Sequence, residues 1–426
     1  MKKGILIFAF AAACIPALGQ TLEECQRAAE QNYPLIRQYG LIEKTTQLTL
    51  ANIQKGWLPQ VSATAQATYQ SDVTAWPDGM KSMMQGMGIN MKGLKKDQYR
   101  VGVDISQTVY DGGTISSQKQ IAQEQEQVQL AQTEVSLYQV KKRVNEMYFS
   151  LLMLEEQMQL NRDLQELLSG NERKLESMVK RGTAAESDWL NVKAERLNVM
   201  QQATTLESSQ QMLREMLSTF CGLEVKDVQK PDGTSLLSAT GQRPELKLFD
   251  AQLRLAEAQE KSLNAALKPS FGLFAQGYYG YPGLNMFEDM MRHQWSLNGI
   301  IGARITWNIG ALYTRRNDKA KLQQQRLLTE SNREVFLFNN RLEQIQQNQE
   351  IARYRKLMTD DEEIIQLRAN VRKAAESKLA HGIIDVNDLV REINQENAAR
   401  VQQKMHELEM LKQIFDNAYT KGQKVE

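Results

Sequence analysis

The chain has 426 residues, with 52 Lys and Arg against 51 Asp and Glu, for a net charge of +1. That balance lacks the basic excess of a nucleic-acid-binding surface. A mean hydropathy of −0.50, with no later apolar run of about 18 residues, excludes a membrane-spanning helix from the reading.

Lys2 and Lys3 form a short basic start, residues 4–15 are apolar, and Ala17, Leu18 and Gly19 make a small-x-small cleavage pattern before Gln20. This predicts a secretory signal peptide over 1–19, set aside in fold reasoning. Cys14 follows three alanines and offers a lipoprotein alternative, but the branched residue usual three places upstream is missing and the apolar stretch is short. Cleavage after Gly19 leaves Cys25 and Cys221, which lack metal-type spacing. His293, His381 and His406 stand apart and read as solvated surface side chains.

The remainder is one unit written twice, and such repeats decide the fold class. Pro34 matches Pro244, and Pro59 matches Pro269, both at an offset of 210 (244 − 34 and 269 − 59). After one loop the offset becomes 200: Val103, Asp104, Ile105 and Ser106 align with Ala303, Arg304, Ile305 and Thr306, Gly182 with Gly382, and Asp188 with Asp388. The first repeat spans 20–222, a linker 223–243, and the second repeat 244–426. Each predicts a helix (22–56 and 244–266), two strands, a very long helix, a glycine turn and a returning helix.

The strands, at about 57–70, 98–111, 268–281 and 294–310, alternate at period two. Val101, Val103 and Ile105 oppose Arg100, Asp104 and Ser106; Leu297, Ile301 and Ile305 oppose Asn298, Arg304 and Thr306. Trp57, Tyr69, Tyr99, Tyr110, Tyr279, Trp295 and Trp307 lie near strand ends, as interfacial aromatics do. Segments of about ten residues, apolar on one face and polar on the other, are the pattern of outer-membrane strands. A soluble half-buried sheet alternates in the same way, but no other apolar surface in the chain is large enough to cover these faces. Four strands cannot close a barrel alone, and lipid forbids an open sheet edge. Two copies would give eight strands, with a filled interior, and three would give twelve, with a lumen.

Proline is absent from 78–230 and from 283 to the end, which permits long helices. Seven-residue apolar steps such as Val144, Leu151 and Met158, or Leu328, Val335 and Leu342, mark coiled-coil seams. A helix from about 114 to 180 would extend on the order of 100 Å. Glycine accepts positive φ without steric cost, so Gly182 and Gly382 predict turns at 181–187 and 381–387. Ser187 or Asp188, and Asp385 or Asn387, are candidate caps of the returning helices. No nucleophile–base set, phosphate-binding glycine loop or metal cluster is present in the pattern, so neither an enzyme nor a cofactor site is expected.

The order of these motifs resembles the TolC-like outer-membrane efflux protein family over nearly the whole mature chain. The resemblance rests on Asn32, Tyr33 and Pro34; on Leu58 and Pro59; and on Val103 through Ser106 leading to Tyr110, Asp111, Gly112 and Gly113. It also rests on the two turns, Arg181 and Gly182 to Asp188, and His381 and Gly382 to Asp388. It implies a mixed α and β membrane protein, in which a trimeric twelve-stranded outer-membrane β-barrel continues into a periplasmic α-helical coiled-coil barrel. It further implies a homotrimer that meets a periplasmic adaptor protein and an inner-membrane pump. In the family, an Asp six residues after the turn glycine lies near the closed periplasmic end, which makes Asp188 and Asp388 gate candidates. Three copies of Asp388 would form a negative ring. Here Arg391 replaces a further acid, and Ile384 a basic partner, so Arg391 is positioned to pair with Asp388. Lys180, Arg181, Thr183, Ala184, Leu379, Ala380 and Ile383 are the candidate adaptor contacts by position. If the first returning helix stacks beneath the N-terminal helix, Cys25 and Cys221 meet, and a disulfide becomes possible. Met80, Met83, Met84, Met87 and Met91 crowd the first strand-to-strand loop and suit either Cu(I) or contact with lipid.

The functional expectation is a passive export duct of a tripartite efflux or secretion system, opened at its helical turns. The competing reading is a periplasmic coiled-coil adaptor or scaffold without a pore, which would carry one hairpin and compact β-domains rather than two tandem units.

Overall fold

The computed structural model describes residues 20–90, 92–233 and 241–423. The expected signal peptide, Cys14, Met91 and the middle of the 223–243 linker lie outside these residues. In chain order the elements are α1 (Leu22–Asn32), α2 (Ile36–Gln54), a 3₁₀ turn (Lys55–Trp57), β1 (Gln60–Tyr69), α3 (Asp78–Gly86), β2 (Asp97–Tyr110), α4 (Thr114–Lys180) and α5 (Glu186–Cys221). The second repeat follows with α6 (Pro244–Ala265), β3 (Ser270–Tyr281), α7 (Met286–Arg292), β4 (Ser296–Thr306), α8 (Ala311–Ala380) and α9 (Val386–Thr420). The helix expected over 22–56 is broken. Tyr33, ahead of Pro34, takes extended backbone (φ −63°, ψ 131°), because the proline ring disfavours the helical region for the residue before it.

The chain divides into two compact units. One contains Met1–Tyr39, Ala131–Leu248 and Asn332–Glu426; the other contains Gly40–Leu130 and Phe249–Ser331. The division falls inside α2, α4, α6 and α8.

The second unit holds a four-stranded antiparallel sheet in the order β1-β2-β3-β4. The register pairs Ala65 with Val101, Val101 with Tyr279, and Tyr279 with Leu297, so odd-numbered positions share one face. That face is apolar and open: Leu297 is 82% and Ile301 88% exposed, and Val61, Val103, Leu273 and Ile305 are exposed beside them. The opposite face carries Thr64, Gln66, Arg100, Asp104, Gln276, Asn298 and Arg304. β1 and β4 are edge strands. Pro59 and Pro269 each stand immediately before a strand, where their missing N–H costs no ladder bond. Asp111 caps α4, its carboxylate accepting from Gly113 N at 2.8 Å and Ile115 N at 2.6 Å.

Two strand-to-strand connections contain helices that periodicity missed, α3 and α7. They are clasped together: the Trp76 and Phe287 rings lie 5.2 Å apart, and Lys95 N donates to the Tyr281 hydroxyl at 3.0 Å. Buried Asp289 accepts from Gly283 N at 2.6 Å. Met80, Met83 and Met87 are exposed on this loop.

In the first unit, Leu22, Cys25 and Ala29 of α1 pack against Val144, Tyr148 and Leu151 of α4, Leu217 of α5, and Leu408 and Phe415 of α9. Burying each such side chain contributes about 1.5–3 kcal/mol. Gly222 ends α5 at φ +70°. Asn32 Nδ2 donates beside it to the carbonyls of Thr219 and Phe220 at 3.2 and 3.3 Å. Glu155, partly buried beside Arg214 at 3.5 Å, is pushed up to about 7, mainly by loss of water, with Arg214 opposing the shift. Asp416 is likewise raised, to about 6, by burial.

A carboxyl raised in the folded state holds its proton more tightly there than in the unfolded chain. The contribution of Glu155 is therefore complete below its ordinary 4.5 and is lost as pH rises through about 7. Replacing it by the neutral isostere, Glu155→Gln, should flatten the fall in thermal midpoint between about pH 5 and 8. Parallel midpoint curves for wild type and variant would refute this assignment.

Candidate functional site

The two glycine turns are built alike. Gly182 (φ +71°) and Gly382 (φ +70°) adopt the left-handed conformation. In the first turn Gly182 N donates to Val179 O at 2.9 Å and Thr183 N to Met178 O at 2.9 Å. In the second, Gly382 N donates to Leu379 O at 3.0 Å and Ile383 N to Lys378 O at 2.9 Å. These bonds satisfy the last carbonyls of α4 and α8 and reverse the chain. Even the side-chain bonds repeat: Arg181 Nε donates to Ser177 O at 3.2 Å, and His381 Nδ1 to Ser377 O at 2.7 Å.

The caps differ. Asp385 caps α9, accepting from Asp388 N at 2.9 Å. The first turn has no such residue: Ala185 holds the cap position of α5, and Asp188 reaches back to Ala185 N at 3.4 Å. Neither Ser187 nor Asp188, the two residues offered as caps by the sequence, holds the cap position, because the helix begins at Glu186, two residues before a cap at Ser187 would start it. Asn387 instead faces α5 and accepts from Asn191 Nδ2 at 3.3 Å.

The fold brings both turns together within the first unit. Leu168 and Leu175 of α4, Val192 and Val199 of α5, Ala375 of α8, and Val386, Leu389 and Ile393 of α9 form one buried cluster. Asn394 Nδ2 adds a 2.7 Å bond to Glu195 Oε1. Of the docking candidates, Lys180, Arg181, Thr183, Ala380 and Ile383 are exposed, with Ile383 at 70%. Ala184 and Leu379 are half-buried against the cluster. Asp388 pairs with Arg391 at 2.8 Å, so its charge is balanced within the chain.

Each hairpin is also stapled by a pair that sequence reasoning missed. Arg196 of α5 binds Glu172 of α4, and Arg372 of α8 binds Glu396 of α9. These are the same two positions, 200 residues apart, with the charges exchanged (172 to 372, 196 to 396). Glu396 is buried and also accepts from Arg400 at 2.7 Å. Burial opposes its ionisation, but the bonds from Arg372 and Arg400 outweigh that and hold the carboxyl below the ordinary range. Comparing charges across the 200-residue offset would have found the staple.

Cys25 and Cys221 do meet. Both are buried free thiols, and Cys221 Sγ lies 3.4 Å from Cys25 O. The bridge allowed by the sequence is absent from this structure. Arg243 lies over the rings of Tyr138, Phe336 and Tyr419 at 5.1, 5.5 and 4.9 Å. It also forks onto Glu245 at 2.9 and 2.6 Å, a contact set with no local sequence signature. Among the described residues no His, Cys, Asp or Glu group is arranged to hold a metal, and no helix is long and apolar enough to cross a membrane.

Glu396→Gln should destabilise the first unit by roughly 2 kcal/mol at neutral pH, less than a fully desolvated pair because Arg400 reaches water. The depressed carboxyl supplies its stability above 4.5 and loses it as pH falls through its lowered value. Wild type and variant should therefore converge in acid. Denaturant unfolding across pH checks both points.

Residues 27–223 match the outer membrane efflux protein family. None of the curated proteins matches the chain in sequence. Among solved structures, VceC of Vibrio cholerae is similar at 13% identity and TM-score 0.65, over 95% of this chain and 97% of that one. CmeC of Campylobacter jejuni gives 12% and 0.64, over 95% and 86%. The open MtrE channel of Neisseria gonorrhoeae gives 14% and 0.63, over 94% and 89%. The outer membrane efflux protein family is thus matched across the first repeat, and the fold of both repeats is similar to that of solved outer-membrane channels.

Proposed function

We propose that the chain is one subunit of a trimeric outer-membrane duct that passively conducts solutes exported by a tripartite system. Its helical hairpins stand in the periplasm, where the exposed turn residues meet an adaptor protein and, through it, an inner-membrane pump. One observation carries this reading: a sheet with an open apolar face, a polar opposite face and two edge strands. In lipid such edges must be paired, and three copies supply twelve strands (3 × 4), enough to enclose a lumen.

The helices support the same reading. Val135 of α4 is 6% exposed, whereas its counterpart Val335 of α8 is 55% exposed; Leu164 is 6% and Ile364 45%. The α8 seam is a heptad stripe without a partner in the single chain, the surface that a neighbouring copy covers in a coiled-coil barrel. Opening proceeds by separation of the hairpins at their turns, where contacts between α5 and α9 are side-chain amide bonds and a small apolar cluster.

Membrane fractionation and planar-bilayer recording of the detergent-purified protein test the duct: discrete conductance steps from an outer-membrane trimer are expected. A water-soluble monomer without steps would sink it. To test the gate, Asn191→Cys and Asn387→Cys are combined in a chain whose Cys25 and Cys221 are alanine. The new bond should hold conductance low until a reductant is added. Identical currents before and after reduction would exclude opening at these turns.

A further inference from the structure

The polar face of the sheet is not uniformly polar. On β2, β3 and β4 it reads Gln98, Arg100, Gly102, Asp104; Phe274, Gln276, Tyr278; and Asn298, Ile300, Gly302, Arg304. Two aromatic rings therefore lie on the side opposite the lipid-type residues. Each is covered by an arginine: the Arg100 guanidinium carbon sits 4.0 Å from the Tyr278 ring centre, and that of Arg304 4.9 Å from the Phe274 ring centre. Glycines make the room. A Cβ at Gly102 would stand 2.7 Å from Tyr278 Cβ, and one at Gly302 would stand 2.7 Å from Phe274 Cζ.

Stacking uses the flat face of a guanidinium and leaves its N–H donors at the rim. Arg100 Nε is buried without a hydrogen-bond partner, and among the described residues neither arginine is ion-paired. Arg100 and Tyr278 line a cavity of about 380 Å³ together with polar Gln66, Thr68 and Gln98 and apolar Leu284 and Met286. The one acid on this face, Asp104, accepts from the Thr64 hydroxyl at 3.3 Å. Each chain thus places two fixed cations and one anion on the face. An arginine ring favours anions, and arginine keeps its charge at any physiological pH.

We infer that the polar face of the sheet is an anion-attracting wall, in which Arg100 and Arg304, held upright on aromatic rings, bias the duct towards anionic solutes. This rests on the duct reading above, and it places charge selection on the sheet. At the turns, Asp388 is already balanced by Arg391. Three copies would present six arginines (3 × 2) against three aspartates (3 × 1).

Reversal potentials in a potassium chloride gradient across a planar bilayer test it. Arg100→Gln with Arg304→Gln should lower the chloride-to-potassium permeability ratio by about twofold or more. Asp104→Asn should raise that ratio. Arg100→Lys with Arg304→Lys keeps the charge and should keep the wild-type ratio. The shifts should shrink between about 0.1 M and 1 M salt, as the screening length falls from ~10 to ~3 Å. Conductance steps whose reversal potential is the same in wild type, the glutamine pair and Asp104→Asn would overturn the wall and leave the duct standing. Absence of steps in the wild type would overturn the duct itself, and the wall with it.

Discussion

A peptide group facing hydrocarbon without a hydrogen-bond partner costs several kcal/mol, and β1 and β4 each leave one strand edge open. No side chain can repair a whole edge, so the sheet has to find strands elsewhere, and in a homo-oligomer those strands are its own. The same constraint accounts for the sheet's two faces. The exposed apolar face carries Val, Leu, Ile and aromatics, and the charged Arg100, Asp104 and Arg304 share the opposite side. In the proposed trimer, pairing at the edges brings neighbouring copies together, and the exposed α8 seam gains a partner.

The tandem repeats have kept backbone geometry and divided the other tasks. Both turns use a left-handed glycine with matching hydrogen bonds, because only such a residue reverses a helix in so few positions. The staples across the hairpins have exchanged charges, which keeps the attraction while reversing the local field along each helix. Burial has diverged most. The α4 seam is satisfied within the chain, and the α8 seam is not. Helix α4 therefore packs into the chain's own core with α5 and α9, while its counterpart α8 leaves its seam exposed.

Acid–base behaviour follows the same packing. Glu396 is held ionised because two guanidinium groups reach it, whereas Glu155 and Asp416 are raised because burial exceeds the charge that their neighbours supply. The opposite signs show that a carboxylate among lysines and arginines on a long helix cannot be assigned from composition; its depth and the angle of its partner decide.

Period-two alternation, seven-residue apolar steps, glycine at the turns and proline at strand entries were legible in the sequence, since each is a local consequence of covalent spacing. They were sufficient for the four strands, the long helices and the family resemblance. The break at Tyr33, the short helices α3 and α7, and the position of Ala185 rather than Ser187 at a cap depended on single-residue conformations that periodicity averages away. The aromatic surround of Arg243, the exchanged Arg–Glu staples and the arginines stacked on Tyr278 and Phe274 were decided by tertiary structure alone. Each joins segments far apart in sequence, and their contact depends on how one helix is rotated against another, or on how one strand is registered against the next.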